Sequence, residues 1–268
     1  MKILLVYPEY PETFWSFKHA LKFVGKKSIL PPLGLLTVGA LLPKAWPKRL
    51  IDMNVEKLQD KDIAWADCIF ISAMVVQKES VREVIKRCQN FDKKIAAGGP
   101  LFTASHQDFK GIDYFVLGEA ETTLPIFLED LKSGRPKKLY ISSQKPDLSA
   151  TPLPLWDLID INKYVMMNIQ YSRGCPFDCE FCDITFLFGR IQRTKSKKQI
   201  LSELDSLYNR GWRGTVFFVD DNLIGNKENL KKEILPGIIK WCREKKYPFT
   251  FPAQTSLNLS DDQELMDL

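Results

Sequence analysis

The first half of the chain alternates short solid blocks of apolar residues with longer stretches in which apolar positions recur every three or four residues. The solid blocks read as strands: Lys2–Tyr7, with Ile3, Leu4, Leu5 and Val6 in a row, then Arg49–Met53, Cys68–Ala73, Lys94–Ala97 and Tyr114–Leu117. The run Cys68–Ala73 (CIFISA) is apolar without alternation, as a parallel strand covered on both faces must be. Between the blocks lie helical patterns. Leu33–Ala45 is an apolar segment after a loop at Ser28–Pro32. Val81, Val84, Ile85 and Cys88 mark one face of a second helix. Leu124, Phe127, Leu128 and Leu131 mark a third, which Gly134 is placed to stop. Strands alternating with helices predict an α/β domain with a parallel, doubly wound sheet of the flavodoxin-like or Rossmann type.

Such sheets bind ligands beyond the carboxyl ends of their strands. Ser72-Ala73-Met74, Gly98-Gly99 and Gly118-Glu119 stand there. Glycines let a backbone approach a bulky ligand, although a Gly pair after a strand is equally the mark of a plain turn. Glu119 and Glu121 read as caps of the helix that follows. The periodicity then breaks: Ser142–Trp156 carries Pro146, Pro152 and Pro154 among Ser and Asp residues and predicts an extended linker. The expected organisation is a first domain over 1–145, a linker over 146–164 and a second domain over 165–268.

In the second domain Val165–Tyr171 alternates and reads as a strand. Ser196-Lys197-Lys198-Gln199 is a capping box opening a helix with Ile200, Leu204, Leu207 and Tyr208 on its inner face, ended by Gly211. Thr215–Val219 is a strand ending in Asp220-Asp221-Asn222. A long helix spans about Glu228–Lys245, and Thr250–Ala253 is a third strand, followed by Gln254, Thr255 and Ser256. Asp261–Leu268 begins another helix. Repeated βα units with polar residues at the strand ends predict part of a (β/α) barrel of the TIM type.

Composition changes little. The 268 residues are 45% apolar and 26% charged, enough for two ordinary cores, with a net charge of +5 from 38 basic and 33 acidic residues. This mild excess gives no footprint for nucleic acid. The densest basic run, Arg193, Lys195, Lys197 and Lys198, sits where a helix begins. MKILLVYP is too soon interrupted for a signal peptide, and the longest apolar stretch, Leu33–Trp46, contains Pro43 and is too short to span a bilayer. The expected location is cytoplasmic.

Chemistry concentrates in one place. Of six cysteines, Cys68, Cys88 and Cys242 lie scattered in apolar surroundings and read as buried small hydrophobes. Cys175, Cys179 and Cys182 crowd into YSRGCPFDCEFCDI. Three thiolates cannot complete a closed tetrahedral zinc site, and no fourth Cys or His is near in sequence. They can hold three irons of a four-iron cluster and leave the fourth open to a reactant.

The spacing C-x-x-x-C-x-x-C, with Phe181 before the last cysteine, resembles the radical S-adenosylmethionine (SAM) superfamily. Ser72-Ala73-Met74 and Gly98-Gly99 resemble the Ser-x-Leu and Gly-Gly motifs of the cobalamin-binding domain family. The Asp-x-His-x-x-Gly motif of that family is absent: Pro8–Ser16 holds no histidine, and the two present, His19 and His106, read as surface or loop residues. The strings PPLGLL, ISAMVVQKES, GGPLFT, LGEAE, YSRGCPFDCEFCDITFLFGR and FFVDDN make the whole chain resemble cobalamin-dependent radical SAM enzymes, most closely the branch with hopanoid C-2 methylases.

The resemblance implies a cobalamin-binding domain followed by a radical SAM barrel, and three cofactors: a [4Fe-4S] cluster, SAM, and cobalamin without a histidine on its lower face. It implies Cys175, Cys179 and Cys182 as catalytic cluster ligands and Phe181 along the adenine. Asp220, Asp221 and Asn222 become candidates for SAM's amino group, with capping as the plain alternative. Gln254 lines the pocket or is structural, and Ser72, Gly98 and Gly99 contact the cobalamin tail. The implied reaction is C-methylation of an unactivated carbon through a 5′-deoxyadenosyl radical, with the two cofactors facing one another in a closed cavity. The implied substrate is a hydrophobic small molecule, the implied partner a flavodoxin- or ferredoxin-type electron donor, with no nucleic acid and with peripheral membrane contact left open.

Family barrels have about six βα units and this chain supplies barely three, so the 268 residues alone are expected to show little methyl transfer. The rivals are a radical SAM cyclase of the same architecture, a methylthiotransferase, disfavoured because its second cluster needs three cysteines in the first domain, and an inactive cobalamin-binding fragment.

Overall fold

A computed structural model describes residues 1–13 and 16–268. The chain divides into two compact units, one of residues 1–146 and 154–165, the other of residues 147–153 and 166–268.

The first unit runs β1 (Ile3–Tyr7), α1 (Lys18–Phe23), α2 (Leu33–Leu41), β2 (Lys48–Asp52), α3 (Asp60–Trp65), β3 (Cys68–Ser72), α4 (Lys78–Asn90), β4 (Lys94–Gly98), α5 (Pro100–Ser105), β5 (Tyr114–Val116), α6 (Ala120–Lys132) and β6 (Leu139–Tyr140). The strands form one parallel sheet in the order β2-β1-β3-β4-β5-β6. That is the flavodoxin-like winding, and its switch point lies between β1 and β3. Alternate residues face opposite layers. Leu4, Val6, Ile69, Ile71, Ile95 and Ala97 pack with Val81, Val84, Ile85 and Cys88 of α4, while Phe70 meets Phe127 of α6 on the other side, ring centres 6.1 Å apart.

Three expectations change. α2 stops at Leu41 instead of Ala45, because the chain turns extended at Leu42 before Pro43, which cannot continue a helix. Glu119 stands at the N-cap of α6, but its side chain makes no capping bond. β6, unread in the sequence, adds a sixth strand through Phe115 opposite Leu139.

The segment expected as linker over 146–164 is shared between the units. Residues 154–165 form a strap on the first. Trp156 and Tyr164 are about 1% exposed, and Leu155 donates its amide to the carbonyl of Leu36 on α2 (3.1 Å). The hydroxyl of Tyr164 donates to buried Asp52 (3.0 Å), whose other carboxyl oxygen accepts from the amide of Asn54 (2.9 Å).

The second unit runs β7 (Met167–Ile169), β8 (Ser172–Arg173), α7 (Ile184–Phe188), β9 (Arg193–Thr194), α8 (Lys197–Asn209), β10 (Gly214–Phe218), α9 (Lys227–Asn229), α10 (Leu235–Glu244), β11 (Phe249–Thr250) and α11 (Gln263–Asp267). β7, β10 and β11 make an open parallel sheet in the order β11-β10-β7, and β8 pairs antiparallel with β9. Ser196 and Gln199 close the capping box of α8: the Ser196 amide donates to Gln199 Oε1 (3.0 Å) and the Gln199 amide to Ser196 Oγ (3.3 Å). Gln199 Nε2 also donates to the carbonyl of Leu148 (2.8 Å), which fastens residues 147–153 to this unit.

The expected strand over Val165–Tyr171 is cut to three residues, all buried instead of alternating, because a side chain described below takes the amides of Tyr171 and Ser172. The long helix is interrupted by a π-turn at Leu230–Ile234 just ahead of Pro236. Pro252, without an amide proton, confines β11 to two residues, and an isolated bridge joins Ala253 to Phe218. The last helix starts at Gln263, after a 3-10 turn at Leu257–Asp261. Among the described residues no helix is long and apolar enough to cross a membrane.

Candidate functional sites

In the first unit the sequence candidates come together at the carboxyl edge of the sheet. Ser72 ends β3 directly opposite Gly98, which ends β4. Gly99 has φ +87°, and a Cβ there would lie 2.4 Å from Ser72 Oγ. The glycine is therefore required by the fit of two protein loops, independently of any ligand. Gly99→Ala is expected to destabilise the unit by about 1–3 kcal/mol; an unchanged melting temperature would contradict the close approach.

Two residues unread in the sequence brace this edge. Gln77 Oε1 accepts from the amide of Met74 (2.7 Å) and its Nε2 donates to the carbonyl of Pro8 (2.5 Å), tying together the loops that follow β3 and β1 at the switch point. Thr103 Oγ1 donates to the carbonyl of Gly99 (2.9 Å) and accepts from the amide of Gly118 (3.0 Å). Beside them Met74, Val75 and Val76 form an exposed apolar lip. Neither histidine belongs to this edge cluster. His19 meets Glu12 at 3.0 Å, and His106 stands edge-on to Phe115 with ring centres 5.4 Å apart. An apolar lip over a glycine-closed edge suits the broad face of a corrin.

In the second unit the cysteine loop is pinned at both ends. Its start is held against its finish: Gly174 has φ +97°, with no room for a Cβ against the carbonyl oxygen of Ile191 (2.5 Å), and the Cys175 amide donates to the carbonyl of Gly189 (3.2 Å). Inside the loop the amide of Cys182 donates to the carbonyl of Cys179 (3.0 Å). Cys175 is half-buried, Cys179 and Cys182 are exposed, and Phe181 is 93% exposed. The three thiols are free and share one loop without converging: among the described residues no three Cys, His, Asp or Glu side chains are gathered closely enough to hold a metal ion. The fit to an iron–sulfur cluster is one of donor chemistry, three soft, accessible thiols on an irregular loop.

The acidic triplet after β10 divides its work. Asp220 is wholly buried and serves the backbone: its carboxylate accepts from the amide of Tyr171 (3.0 Å), the amide of Ser172 and the hydroxyl of Ser172 (2.5 Å). Burial pushes its carboxyl up to about 6, against the pull of those bonds. Asp221 is also held at about 6, by burial and then by the charge of Asp220. Asn222 Oδ1 accepts from the amide of Ser256 (3.2 Å), and Gln192 Nε2 donates to the carbonyl of Asn222 (2.6 Å) and to Ser172 Oγ (2.9 Å). Three buried atoms in this group have no hydrogen-bond partner among the described residues: Asp221 Oδ2, Asn222 Nδ2 and Gln192 Oε1. Buried polar atoms are rarely left so, and a ligand's amino and carboxylate groups would satisfy them. Gln254 is exposed, and its carbonyl accepts from the amide of Leu223 (2.9 Å). Gln192 carries no motif, so only the folded chain reveals it.

Residues 26–128 match the B12 binding domain family. Over its whole length the chain is 46% identical to an uncharacterized methyltransferase of Synechocystis sp. and 34% identical to the hopanoid C-2 methylase of Rhodopseudomonas palustris. The radical S-adenosylmethionine methyltransferase TsrM of Kitasatospora setae, solved with cobalamin and a [4Fe-4S] cluster, superposes on 92% of the chain and 54% of its own, with a TM-score of 0.66 at 15% identity. Residues 26–128 are thus similar to B12 binding domains, and the whole chain is similar to proteins named as methyltransferases. It spans about half the length of the curated relatives it matches, 50% and 51% of the two named. The likeness to TsrM carries the architecture alone: an open α/β sheet followed by the strands of a partial barrel.

Proposed function

We propose that this chain holds the cofactor sites of a cobalamin-dependent radical SAM methyltransferase acting on an unactivated carbon of a hydrophobic, hopanoid-like small molecule. The observation that carries the reading is the loop of three free thiols, anchored at both ends beside the carboxyl end of a parallel sheet. The relative that shares 34% of its residues and is named for hopanoid methylation supports the substrate class.

When bound, the cluster and SAM supply a strongly oxidising carbon radical, and cobalamin supplies the methyl group. The chain's own residues bind and orient. Cys175, Cys179 and Cys182 hold the cluster by three thiolates. Asp221 Oδ2, Asn222 Nδ2 and Gln192 Oε1 offer an anion, a donor and an acceptor to the amino-acid end of SAM, with Gln254 beside them and Phe181 available to the adenine. In the first unit Ser72, Gly98 and Gly99 shape the edge that takes the cobalamin tail, and Met74, Val75 and Val76 present an apolar lip to the ring. Electrons come from a flavodoxin- or ferredoxin-type donor. The reading requires a reducing compartment such as the cytoplasm, where the thiols stay free.

Anaerobic treatment with iron and sulfide is expected to load about four irons per chain, and adding SAM to change the spin-resonance spectrum of the reduced cluster. Serine at all three cysteine positions should abolish iron uptake. Zinc in the purified chain, or iron retained by the triple variant, would overturn the assignment. Hydroxocobalamin should bind with the same absorbance spectrum after His19→Ala and His106→Ala.

A further inference from the structure

The cysteine loop hangs from a very short stem. β8 and β9 make two cross-strand pairs, Ser172 opposite Thr194 and Arg173 opposite Arg193. So short a ladder is marginal on its own, and its second rung sets two like charges face to face, which opposes the pairing. A slip of one residue would turn every stem side chain to the wrong face and shift Cys175 against its carbonyl partner Gly189.

The residue that leaves the stem supplies what the ladder lacks. The Lys195 amide donates to the carbonyl of Tyr171 (2.8 Å), closing the stem at its base. Its ammonium pairs with Glu203 Oε1 at 2.5 Å, the side chains only 4% and 2% exposed. Glu203 projects from α8, the helix fixed by its own capping box. Its second oxygen is buried without a hydrogen-bond partner among the described residues, and its carboxylate feels the charge of Arg173 across the stem. A well-packed apolar pair could hold a helix here as firmly. What the ion pair adds is one allowed register, since a slipped Lys195 would leave Glu203 buried and uncompensated.

We propose that Glu203, through its buried pair with Lys195, fixes the register of the cysteine-loop stem and so positions Cys175, Cys179 and Cys182 for their cluster. Glu203 is a positioning residue and touches no cofactor; the second half of the statement rests on the cluster reading above.

The test has two arms on the full 268-residue chain. Hydrogen exchange, without iron, follows the amides of Lys195 and Cys175. Glu203→Gln is expected to speed both about tenfold while the strands of the first unit keep their protection. Lys195→Met combined with Glu203→Leu restores a packed, uncharged contact. It is expected to recover the unfolding midpoint while leaving the stem amides fast and the spin-resonance signal of any bound cluster broadened. Wild-type exchange rates in Glu203→Gln, or full stem protection in the double variant, overturn the clamp. The second arm measures iron loss after reconstitution, expected about tenfold faster in both variants. Fast stem exchange with wild-type iron retention overturns the link to the thiols. A wild-type chain that takes up no iron overturns the cluster reading itself, and the exchange arm still judges the clamp.

Discussion

Asp220→Ala is expected to destabilise the second unit by about 3–5 kcal/mol. The carboxylate accepts from two backbone amides and one hydroxyl, all buried. Alanine leaves those donors without partners and without water, and each stranded donor costs about 1–3 kcal/mol. The strand that leads to the cysteine loop would lose its hold at Tyr171 and Ser172. Urea denaturation of the full chain measures the effect, and a cost below about 1 kcal/mol would show the carboxylate to be dispensable. Asp220→Asn should be milder, because an amide oxygen still accepts from the same donors.

Both variants should also change the pH dependence of stability. The folded carboxyls of Asp220 and Asp221 are held at about 6 by burial, whereas an unfolded aspartate titrates near 3.9. Between these values the folded state binds more protons than the unfolded. The contribution of each group is therefore full below about pH 4, declines as pH rises, and is lost above about pH 6. Asp220→Asn should remove about half of this slope. A stability that rises from pH 4 to 6 in the wild type, once other carboxylates are accounted for by the variant, would reverse the assignment.

Trp156→Ala carries the second large effect, about 3–5 kcal/mol in the first unit. Trp156 heads the fully buried side chains of the described residues, and its loss opens a cavity where the strap crosses the unit. Against a typical domain stability of roughly 5–15 kcal/mol, this is enough to populate the unfolded state on mild warming. Tyr164→Phe is the milder companion, expected to cost about 1–2 kcal/mol: it removes the bond to Asp52 but keeps the ring, and Asp52 retains the bonds from Asn54. Calorimetry of the two variants separates the volume of the strap from its polar anchor. Equal small shifts in both would show the strap to be peripheral.

These effects mark where sequence patterns stop being legible. The central strands announce themselves because both faces are covered: Ile3–Tyr7 and Cys68–Ser72 are solid apolar blocks, and the doubly wound sheet follows from their alternation with helices. β6 escapes notice because it has two residues, one of them exposed. The strap reads as a linker because its anchors, Leu155, Trp156 and Tyr164, have no period, and Leu155 meets α2 and Tyr164 meets Asp52 only in the fold. In the candidate sites, the cysteines are legible by spacing, and Ser72, Gly98 and Gly99 by their position at strand ends. Gln192, Lys195 and Glu203 are solitary polar residues whose meaning comes from crossings of the chain. Asp220 shows the same limit from the other side: an acidic triplet at a strand end suggests a ligand, yet its first member is committed to backbone amides 48 and 49 residues away.

The strap also orders events during synthesis. Parallel sheets depend on distant contacts and close slowly, and here the last anchor of the first unit, Tyr164, is made only after residues 147–153 of the other have been translated. Every anchor of the first unit therefore lies within residues 1–165 and leaves the ribosome ahead of Cys175, Cys179 and Cys182. A pause once Val165 has emerged would give the first layer time to lock before the three free thiols follow, so slow codons placed to cause that pause should raise the yield of correctly folded chain.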